Sequence, residues 1–203
     1  MTPHGIKFPA MIYVCDYWSV QQTVKDARAT HLISILEPGA YIKRPQEISS
    51  AHHLTVGFHD IDEPTAGKTM PRASHIEDIL KFIGAWHGEG QLVIHCQAGA
   101  SRSPAAALII LTHLNPGQEE EAAKIVRRSI PHAQPNQKMI TISDEILRCD
   151  GRLVRAVRTV FADLPPAFST WDESVQPLPI SLPPTVEPLP HLLPRNKRDK
   201  ALE

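Results

Sequence analysis

Short apolar runs and amphipathic stretches alternate along roughly the first 160 residues of the chain. Four runs with the length and composition of buried strands occupy residues 10–15, 31–36, 53–58 and 91–94. Helical spacing or composition marks the stretches 16–29, 71–87, 104–114, 115–130, 136–148 and 152–162. Strands that alternate with helices predict an α/β domain, with a central, mostly parallel sheet of four to five strands flanked by helices.

Several helix starts are predicted from residues with known terminal preferences. Pro71 suits the first turn of the helix over 71–87, and Asn115 followed by Pro116 suits the cap and first turn of the next helix but one. Asn136 follows Pro135 and predicts an N-terminal cap, with contact to an active site as the alternative.

The composition changes after Leu164. Nine of the 19 prolines lie between Pro165 and Pro194. We therefore predict a domain over residues 1–163 and a proline-rich, extended or disordered tail over 164–203. The tail either covers part of the domain surface or binds a proline-reading domain of another protein.

Charge and apolar content exclude several classes of protein. The formal net charge is −1, which gives no electrostatic support for binding nucleic acid. No apolar run approaches the ~18 residues of a membrane span. Three cysteines and no secretory signal argue against a disulfide framework and favour a cytoplasmic protein with free thiols. The eleven histidines lack the spacing of metal ligands, so no metal or other cofactor is expected.

The loop H-C-Q-A-G-A-S-R-S-P joins the fourth predicted strand to the apolar helix over 104–114. In a parallel sheet, ligands bind beyond the carboxyl ends of the strands. A small, glycine-containing loop that leads into a helix presents converging backbone N–H groups to an anion. Residues 96–102, called the phosphate loop below, therefore predict a site for a phosphate dianion.

Cys96 begins the phosphate loop, where the helix N-terminus, the backbone amides and Arg102 are expected to stabilise a thiolate. A thiolate can attack phosphorus and form a cysteinyl-phosphate. The planar guanidinium of Arg102 can hold two phosphate oxygens. Ser103 can donate a hydrogen bond to the sulfur when it leaves, and His95 can orient the loop through its ring nitrogens.

The spacing between Cys96 and Arg102 also occurs between Cys149 and Arg155. That second copy follows a predicted helix rather than a strand, and Asp150 would repel a phosphate there. We interpret the second copy as chance, with its arginines on a solvated face. The strand, the glycine loop and the following apolar helix therefore carry the prediction, and the spacing alone does not.

These residues resemble the signature loop H-C-x-x-G-x-x-R-[ST] of the protein tyrosine phosphatase superfamily, closest to its small dual-specificity-like branch. The stretches H-D-I-D-E-P, A-Q-P-N and L-R-C-D-G-R-L-V-R-A resemble bacterial predicted tyrosine phosphatases of that branch. The resemblance covers roughly residues 10–160 and implies the cysteine-phosphatase fold, a cysteinyl-phosphate intermediate and no metal. It assigns Cys96 as the nucleophile, Arg102 as the phosphate ligand and Ser103 as the residue that assists the second step. It assigns the phosphate cradle to the amides of Gln97, Ala98, Gly99, Ala100, Ser101 and Arg102.

The same family uses an aspartate on a separate loop as general acid. Asp60 and Asp62 both lie in the polar stretch after the third strand, and alternation puts them on the same side. Asp60 is preferred because it follows the strand more closely and matches H-D-I-x-E-P. Asp62 is the alternative, and Glu63 is a weaker third candidate. The unused aspartate is expected to cap the loop by bonding to backbone.

The predicted activity is hydrolysis of phosphomonoesters, on phosphorylated proteins or small phosphate esters. A rhodanese-like sulfurtransferase is one alternative, since it also places a cysteine in a loop at a strand end. An arsenate reductase of the low-molecular-weight type is disfavoured because its loop lies near the N-terminus. A phosphate-binding module without activity is the non-enzymatic alternative. The phosphate loop interior holds no lysine or arginine before Arg102, so it gives no indication of a polyphosphate or inositide substrate.

Overall fold

Four parallel strands and one short antiparallel strand form the sheet, and each parallel strand overlaps one of the predicted apolar runs. The computed structural model describes residues 10–162 and the segment Pro179–Ser181. The strands are β1 (Met11–Cys15), β2 (Ala29–Leu36), β3 (His53–Gly57), β4 (Gln91–His95) and the short β5 (Pro179–Ser181). The strand order is β3-β2-β4-β1-β5, with β5 antiparallel to β1 and the other neighbours parallel.

Six helices are present in the described part of the chain, together with one 3₁₀ turn at Ser50–His52. They are α1 (Val20–Ala27), α2 (Ala73–Trp86), α3 (Arg102–Leu114), α4 (Glu119–Ser129), α5 (Gln137–Ile146) and α6 (Arg152–Val160). The predicted class, a mostly parallel sheet flanked by helices, is confirmed.

The sheet has an apolar cluster on each face, because its strands are buried on both sides. The larger cluster joins Ile12, Ile33 and Ile94 of the sheet to apolar residues of α2 through α6. The smaller cluster joins Leu32 and Val93 to α1 and to the loop after β2. Helix α3 is buried along almost its whole length, which fixes the direction in which the phosphate loop enters it.

Two predicted helix starts are wrong. Helix α2 begins at Ala73, so Pro71 lies before the cap residue Arg72 rather than in the first turn. Asn115 ends α3 instead of starting α4, because its side-chain amide donates to the carbonyl of Leu111. Pro71 and Asn115 therefore both lie outside the helices that they were predicted to start.

The predicted cap at Asn136 is confirmed. Its side-chain oxygen accepts a hydrogen bond of 2.9 Å from the backbone N–H of Met139 in the first turn of α5. Asn136 is buried, so its side-chain amide N–H groups, which the cap does not use, lie in the interior of the domain.

The predicted tail lies largely outside the described residues. Within the predicted tail the structure describes only Pro179–Ser181. This segment pairs with Met11–Tyr13 along the edge of β1 that faces away from β4. The division into a domain over 1–163 and a tail over 164–203 stays a prediction.

Candidate active site

The phosphate loop connects the carboxyl end of β4 to the first residue of α3. Cys96 follows β4 directly and is 1% exposed. Ser103, in the first turn of α3, is fully buried, and its hydroxyl donates to the sulfur of Cys96 over 3.2 Å. The predicted nucleophile and the residue predicted to assist its departure therefore lie in direct contact.

Neighbouring loops hold the phosphate loop by its carbonyl oxygens. The carbonyl of Gln97 accepts from the amide of Tyr17 over 3.1 Å, and that of Ala100 accepts from the amide of Gln134 over 2.7 Å. The carbonyl of Ser101 accepts from the amide of Asn136 over 3.4 Å. In a trans peptide the next residue's N–H points opposite to the carbonyl. These contacts therefore direct three loop amides away from the surrounding protein.

The loop amides have no acceptor among the residues that the structure describes. None of the backbone N–H groups of residues 97–102 donates a hydrogen bond there. Backbone donors are nearly always paired in folded proteins, by protein, water or ligand. A run of unpaired donors at the N-terminus of the 13-residue helix α3 is suited to binding an anion.

Gly99 allows the phosphate loop to pass close to the turn after β1. Its φ is +71°, and a Cβ there would lie 3.0 Å from the amide nitrogen of Asp16 and 3.1 Å from the carbonyl carbon of Cys15. Both atoms are backbone and cannot move aside locally. The conformation and the close approach therefore both require glycine at this position.

Arg102 is almost entirely buried and reaches under the loop toward β3. One guanidinium nitrogen donates to the carbonyl of Phe58 over 3.0 Å. Its Nε lies 3.6 Å from a carboxylate oxygen of Asp60, beyond hydrogen-bond distance, and has no hydrogen-bond partner in the described structure. A buried guanidinium with an unpaired donor is a site for an oxyanion.

Asp60 lies against the phosphate loop. Its Oδ1 accepts from the hydroxyl of Ser101 over 2.7 Å and from the side-chain amide of Asn136 over 2.9 Å. Its Oδ2 faces Arg102, and the side chain is 34% exposed. Asp60 is therefore held by hydrogen bonds to one oxygen, while the other forms an ion pair with Arg102 at 3.6 Å.

Asp62 makes a different contact. Its Oδ1 accepts from the backbone N–H of Lys138 at the start of α5 over 2.9 Å. The unused aspartate is expected to bond the backbone of its own loop, whereas Asp62 bonds the backbone of a distant helix. The contacts of Asp60 with Asn136 and of Asp62 with Lys138 hold the loop after β3 against the start of α5.

His95 is fully buried beneath the nucleophile. Its Nδ1 lies 3.1 Å from the carbonyl oxygen of Cys96, and its Nε2 lies 2.7 Å from the hydroxyl of Ser34. Burial lowers the pKa of His95 to about 4, so the ring is neutral at pH 7. The contact with the loop matches the orienting role predicted for this residue.

Sequence reasoning missed three neighbours of the site. Tyr17, Gln134 and Ser34 contact the phosphate loop or His95, but each is far from Cys96 in the chain. The only available signal was A-Q-P-N, which contains Gln134 and Asn136. No local pattern marks a backbone contact across the sheet.

The second cysteine–arginine pair lies in a different setting. Cys149 follows α5, and burial raises the pKa of its thiol to about 12. The N-terminus of α6 is occupied by the buried carboxylate of Asp144, which accepts from the amides of Gly151, Leu153 and Val154. The carboxylate of Asp144 therefore occupies the position that an anion would take in this copy. From the sequence, Asp150 is instead expected to exclude a phosphate by repulsion.

Among the described residues, no cluster of three or more histidine, cysteine or acidic side chains is arranged to hold a metal ion. None of the described helices combines the length and apolar character needed to cross a membrane.

Comparison with known proteins gives one related sequence and many related structures. No protein-family model matches the sequence. A MAP kinase phosphatase with leucine-rich repeats from Dictyostelium discoideum is 26% identical over 113 residues, 56% of this chain. The chain spans 15% of the length of that relative, so the match concerns one region of a much larger protein.

Solved structures match a larger share of the chain. DUSP15 covers 78% of it with 99% of its own chain, at a TM-score of 0.57 and 18% identity. Human DUSP28 covers 68% with 92% of its own chain, at a TM-score of 0.54 and 15% identity. The arrangement of strands and helices described above is therefore the fold of these dual-specificity phosphatases.

Proposed function

We propose that the protein is a phosphomonoester hydrolase, of the protein tyrosine or dual-specificity type, acting through a cysteinyl-phosphate intermediate. One observation carries the proposal. Cys96 begins a loop whose amides have no acceptor in the described protein, at the N-terminus of a buried helix and above a buried arginine. The fold shared with dual-specificity phosphatases supports the same function.

In the first step the thiolate of Cys96 attacks phosphorus and the bond to the leaving oxygen breaks. The amides of residues 97–102 and the guanidinium of Arg102 bind the equatorial oxygens, where charge is spread in the transition state. Asp60 delivers a proton from Oδ2, the oxygen that faces Arg102, to the leaving phenolate or alkoxide.

In the second step water attacks the cysteinyl-phosphate. Asp60, now ionised, takes a proton from that water, and the bond between sulfur and phosphorus breaks to release inorganic phosphate. The hydroxyl of Ser103, 3.2 Å from the sulfur, donates to the departing thiolate. His95 supports the carbonyl of Cys96 throughout.

The two alternatives make different predictions. A sulfurtransferase of the rhodanese type needs no proton donor, whereas the carboxyl group of Asp60 lies beside the phosphate loop and Arg102. A binding module without activity needs no hydroxyl on the cysteine sulfur, yet Ser103 provides one. Assays with thiosulfate and with nitrophenyl phosphate separate the sulfurtransferase from the phosphatase.

The central test uses rapid mixing with nitrophenyl phosphate. If hydrolysis of the intermediate limits turnover, we expect wild type to release a burst of about one nitrophenolate per chain. Whichever step limits turnover, wild type should release inorganic phosphate steadily. Cys96→Ser should abolish turnover but retain binding of a phosphopeptide. Cys149→Ser is the matched control and should keep full turnover. Turnover by Cys96→Ser, or its absence in wild type, contradicts the proposal.

The finer assignments belong to the same proposal. The described cysteines Cys15, Cys96 and Cys149 are free thiols, which supports a reducing, cytoplasmic location. The motif H-D-I-D-E-P supports placement beside bacterial tyrosine phosphatases. Phosphorylated proteins or small phosphomonoesters are the proposed substrates, and a phosphopeptide panel against Cys96→Ser would rank them. Binding of the proline-rich tail to another protein rests on its composition.

A further inference from the structure

Three polar side chains form a line across the sheet beneath the nucleophile. Ser34 of β2 lies between His95 of β4 and His53 of β3, with its hydroxyl 2.7 Å from Nε2 of His95 and 2.8 Å from Nε2 of His53. Ser34 pairs in register with His95. His53 pairs with Leu32, two residues before Ser34, so all three side chains share one face of the sheet.

On the same face Leu32, Leu36 and Val93 form an apolar cluster with residues of α1 and of the loop after β2. Ser34 and His95 are both fully buried there. A buried polar group costs free energy unless every donor and acceptor is paired. Three polar residues in register beside this apolar cluster therefore act as one connected unit.

The direction of each hydrogen bond follows from the carbonyl at one end. The carbonyl of Cys96 can only accept, so Nδ1 of His95 carries the hydrogen. Because the ring is neutral, its Nε2 is an acceptor, and the hydroxyl of Ser34 donates to it. The oxygen of Ser34 then accepts from Nε2–H of His53. One consistent set of hydrogens satisfies the whole line.

We propose that Ser34 and His53 are positioning residues for the reaction, because they hold His95 in the tautomer whose Nδ1–H supports the carbonyl of Cys96. The catalytic part of this inference rests on the proposed function. The tautomer part does not, and it can be tested without activity.

The charges around the line leave this arrangement intact near neutral pH. His95 faces His53, Asp16 and Arg102, and burial dominates in lowering its pKa to about 4. His53 faces Arg44, and burial together with that positive charge lowers the pKa of His53. His53 donates from Nε2 whether its ring is neutral or protonated, so its titration does not reverse the line.

The line acts on the chemical step rather than on binding. The amides that receive the phosphate are held by backbone hydrogen bonds from Tyr17, Gln134 and Asn136, whereas the Ser34 hydroxyl contacts His95 and His53. Loss of the Ser34 hydroxyl would leave Nε2 of His95 without its donor. The ring could then carry its hydrogen on Nε2 and turn the Nδ1 lone pair against the Cys96 carbonyl. The sulfur would shift while the phosphate cradle stays in place.

The kinetic test compares Ser34→Ala, His53→Leu and His53→Gln. Glutamine keeps an N–H near the position of Nε2, whereas leucine does not. We expect Ser34→Ala and His53→Leu to lower kcat roughly tenfold with KM within about twofold, and His53→Gln to restore most of kcat. Ser143→Ala, which removes another buried hydroxyl in α5, should leave kcat unchanged. Unchanged kcat in both Ser34→Ala and His53→Leu overturns the positioning role, and if Ser34→Ala does not fold, the His53 pair decides.

The structural test observes His95 by NMR of protein labelled with ¹⁵N-histidine. Wild type should show the Nδ1–H tautomer, and Ser34→Ala or His53→Leu a mixture of both. A wild-type Nε2–H tautomer, or a spectrum that neither variant changes, overturns the proposal. Absence of turnover in wild type would contradict the proposed function, and the tautomer measurement would still decide this inference.

Discussion

Asp60 and Asp62 illustrate what a sequence can and cannot assign to single residues. The motif places both on one loop after β3, and alternation puts them on the same side. What distinguishes them is long-range: Ser101 and Asn136 bind Asp60, whereas α5 binds Asp62. Those partners lie 41 and 76 positions away from Asp60 in the chain, so no local pattern contains them.

The contact of Asp60 with the phosphate loop leads to a leaving-group prediction. Asp60→Asn keeps an acceptor for Ser101 and Asn136 but cannot donate the proton. We expect kcat/KM for phenyl phosphate, which reports the first step, to fall by about 10²–10⁴. The value for nitrophenyl phosphate, whose leaving group needs no proton, should fall much less. Steady-state kinetics with the two esters measures the difference.

Asp62→Asn is the matched control for that experiment. It should retain turnover of both esters, and its amide oxygen can still accept from the backbone N–H of Lys138, so the free energy of unfolding should change little. A selective loss of phenyl phosphate turnover in Asp62→Asn, with Asp60→Asn unaffected, would transfer the acid role to Asp62.

The buried ring of His95 predicts a pH dependence of folding. Its pKa is about 4 in the folded protein against 6.5 unfolded, so the unfolded state binds more protons between these values. Stability is then full above about pH 6.5 and is lost as the pH falls toward 4, by roughly 3 kcal/mol from this group. His95→Asn, which does not titrate, should show a shallower decline in urea unfolding between pH 7 and 4.5. Equal declines in the two proteins would contradict the assignment.

Among the elements, strands were predicted more accurately than helix ends. Each of the four predicted strands overlaps an observed parallel strand, because burial on both faces demands continuous apolar runs. Helix starts depended on residues such as Asn115 that suit either end of a helix. Asn115 caps the end of α3 because its amide reaches Leu111, a choice that packing of α3 decides.

The turn after β1 and the phosphate loop meet at Gly99, which predicts a substitution effect. Gly99→Ala would introduce a Cβ 3.0 Å from the amide nitrogen of Asp16 in addition to left-handed strain. We expect a loss of about 2–3 kcal/mol of stability and a fall in kcat as the loop moves from its supports. Urea unfolding and turnover of nitrophenyl phosphate measure both effects.

Gly117→Ala separates strain from close approach. Gly117 has a φ of +84°, and a Cβ there meets nothing within 4 Å. This variant should lose only about 1 kcal/mol from the left-handed conformation and keep its turnover. If Gly99→Ala behaved like Gly117→Ala in both measurements, contact with the β1 turn would not support the loop.

At the scale of the whole chain, the candidate site and the edge of the sheet are contacted by different parts of the sequence. Every described side-chain and loop contact of the phosphate loop comes from residues between Cys15 and Asn136. The edge of β1 is instead paired by Pro179–Ser181, from the region that composition separates as a tail. An unpaired edge strand exposes backbone donors and acceptors. The proposed boundary at residue 163 therefore separates the residues of the candidate site from β5, the strand that pairs with the edge of β1.

Deletion of residues 164–203 tests this boundary. We expect the shortened chain to fold and to retain kcat, because the deletion removes no described contact of Cys96, Arg102 or Asp60. Amides of β1 should exchange with deuterium faster once β5 is absent, whereas amides of β4, which lies between β2 and β1, should be unaffected. Hydrogen exchange by mass spectrometry on peptides from the two strands measures this contrast. Loss of folding or of turnover would instead place the tail within the catalytic domain, with β5 as an integral fifth strand.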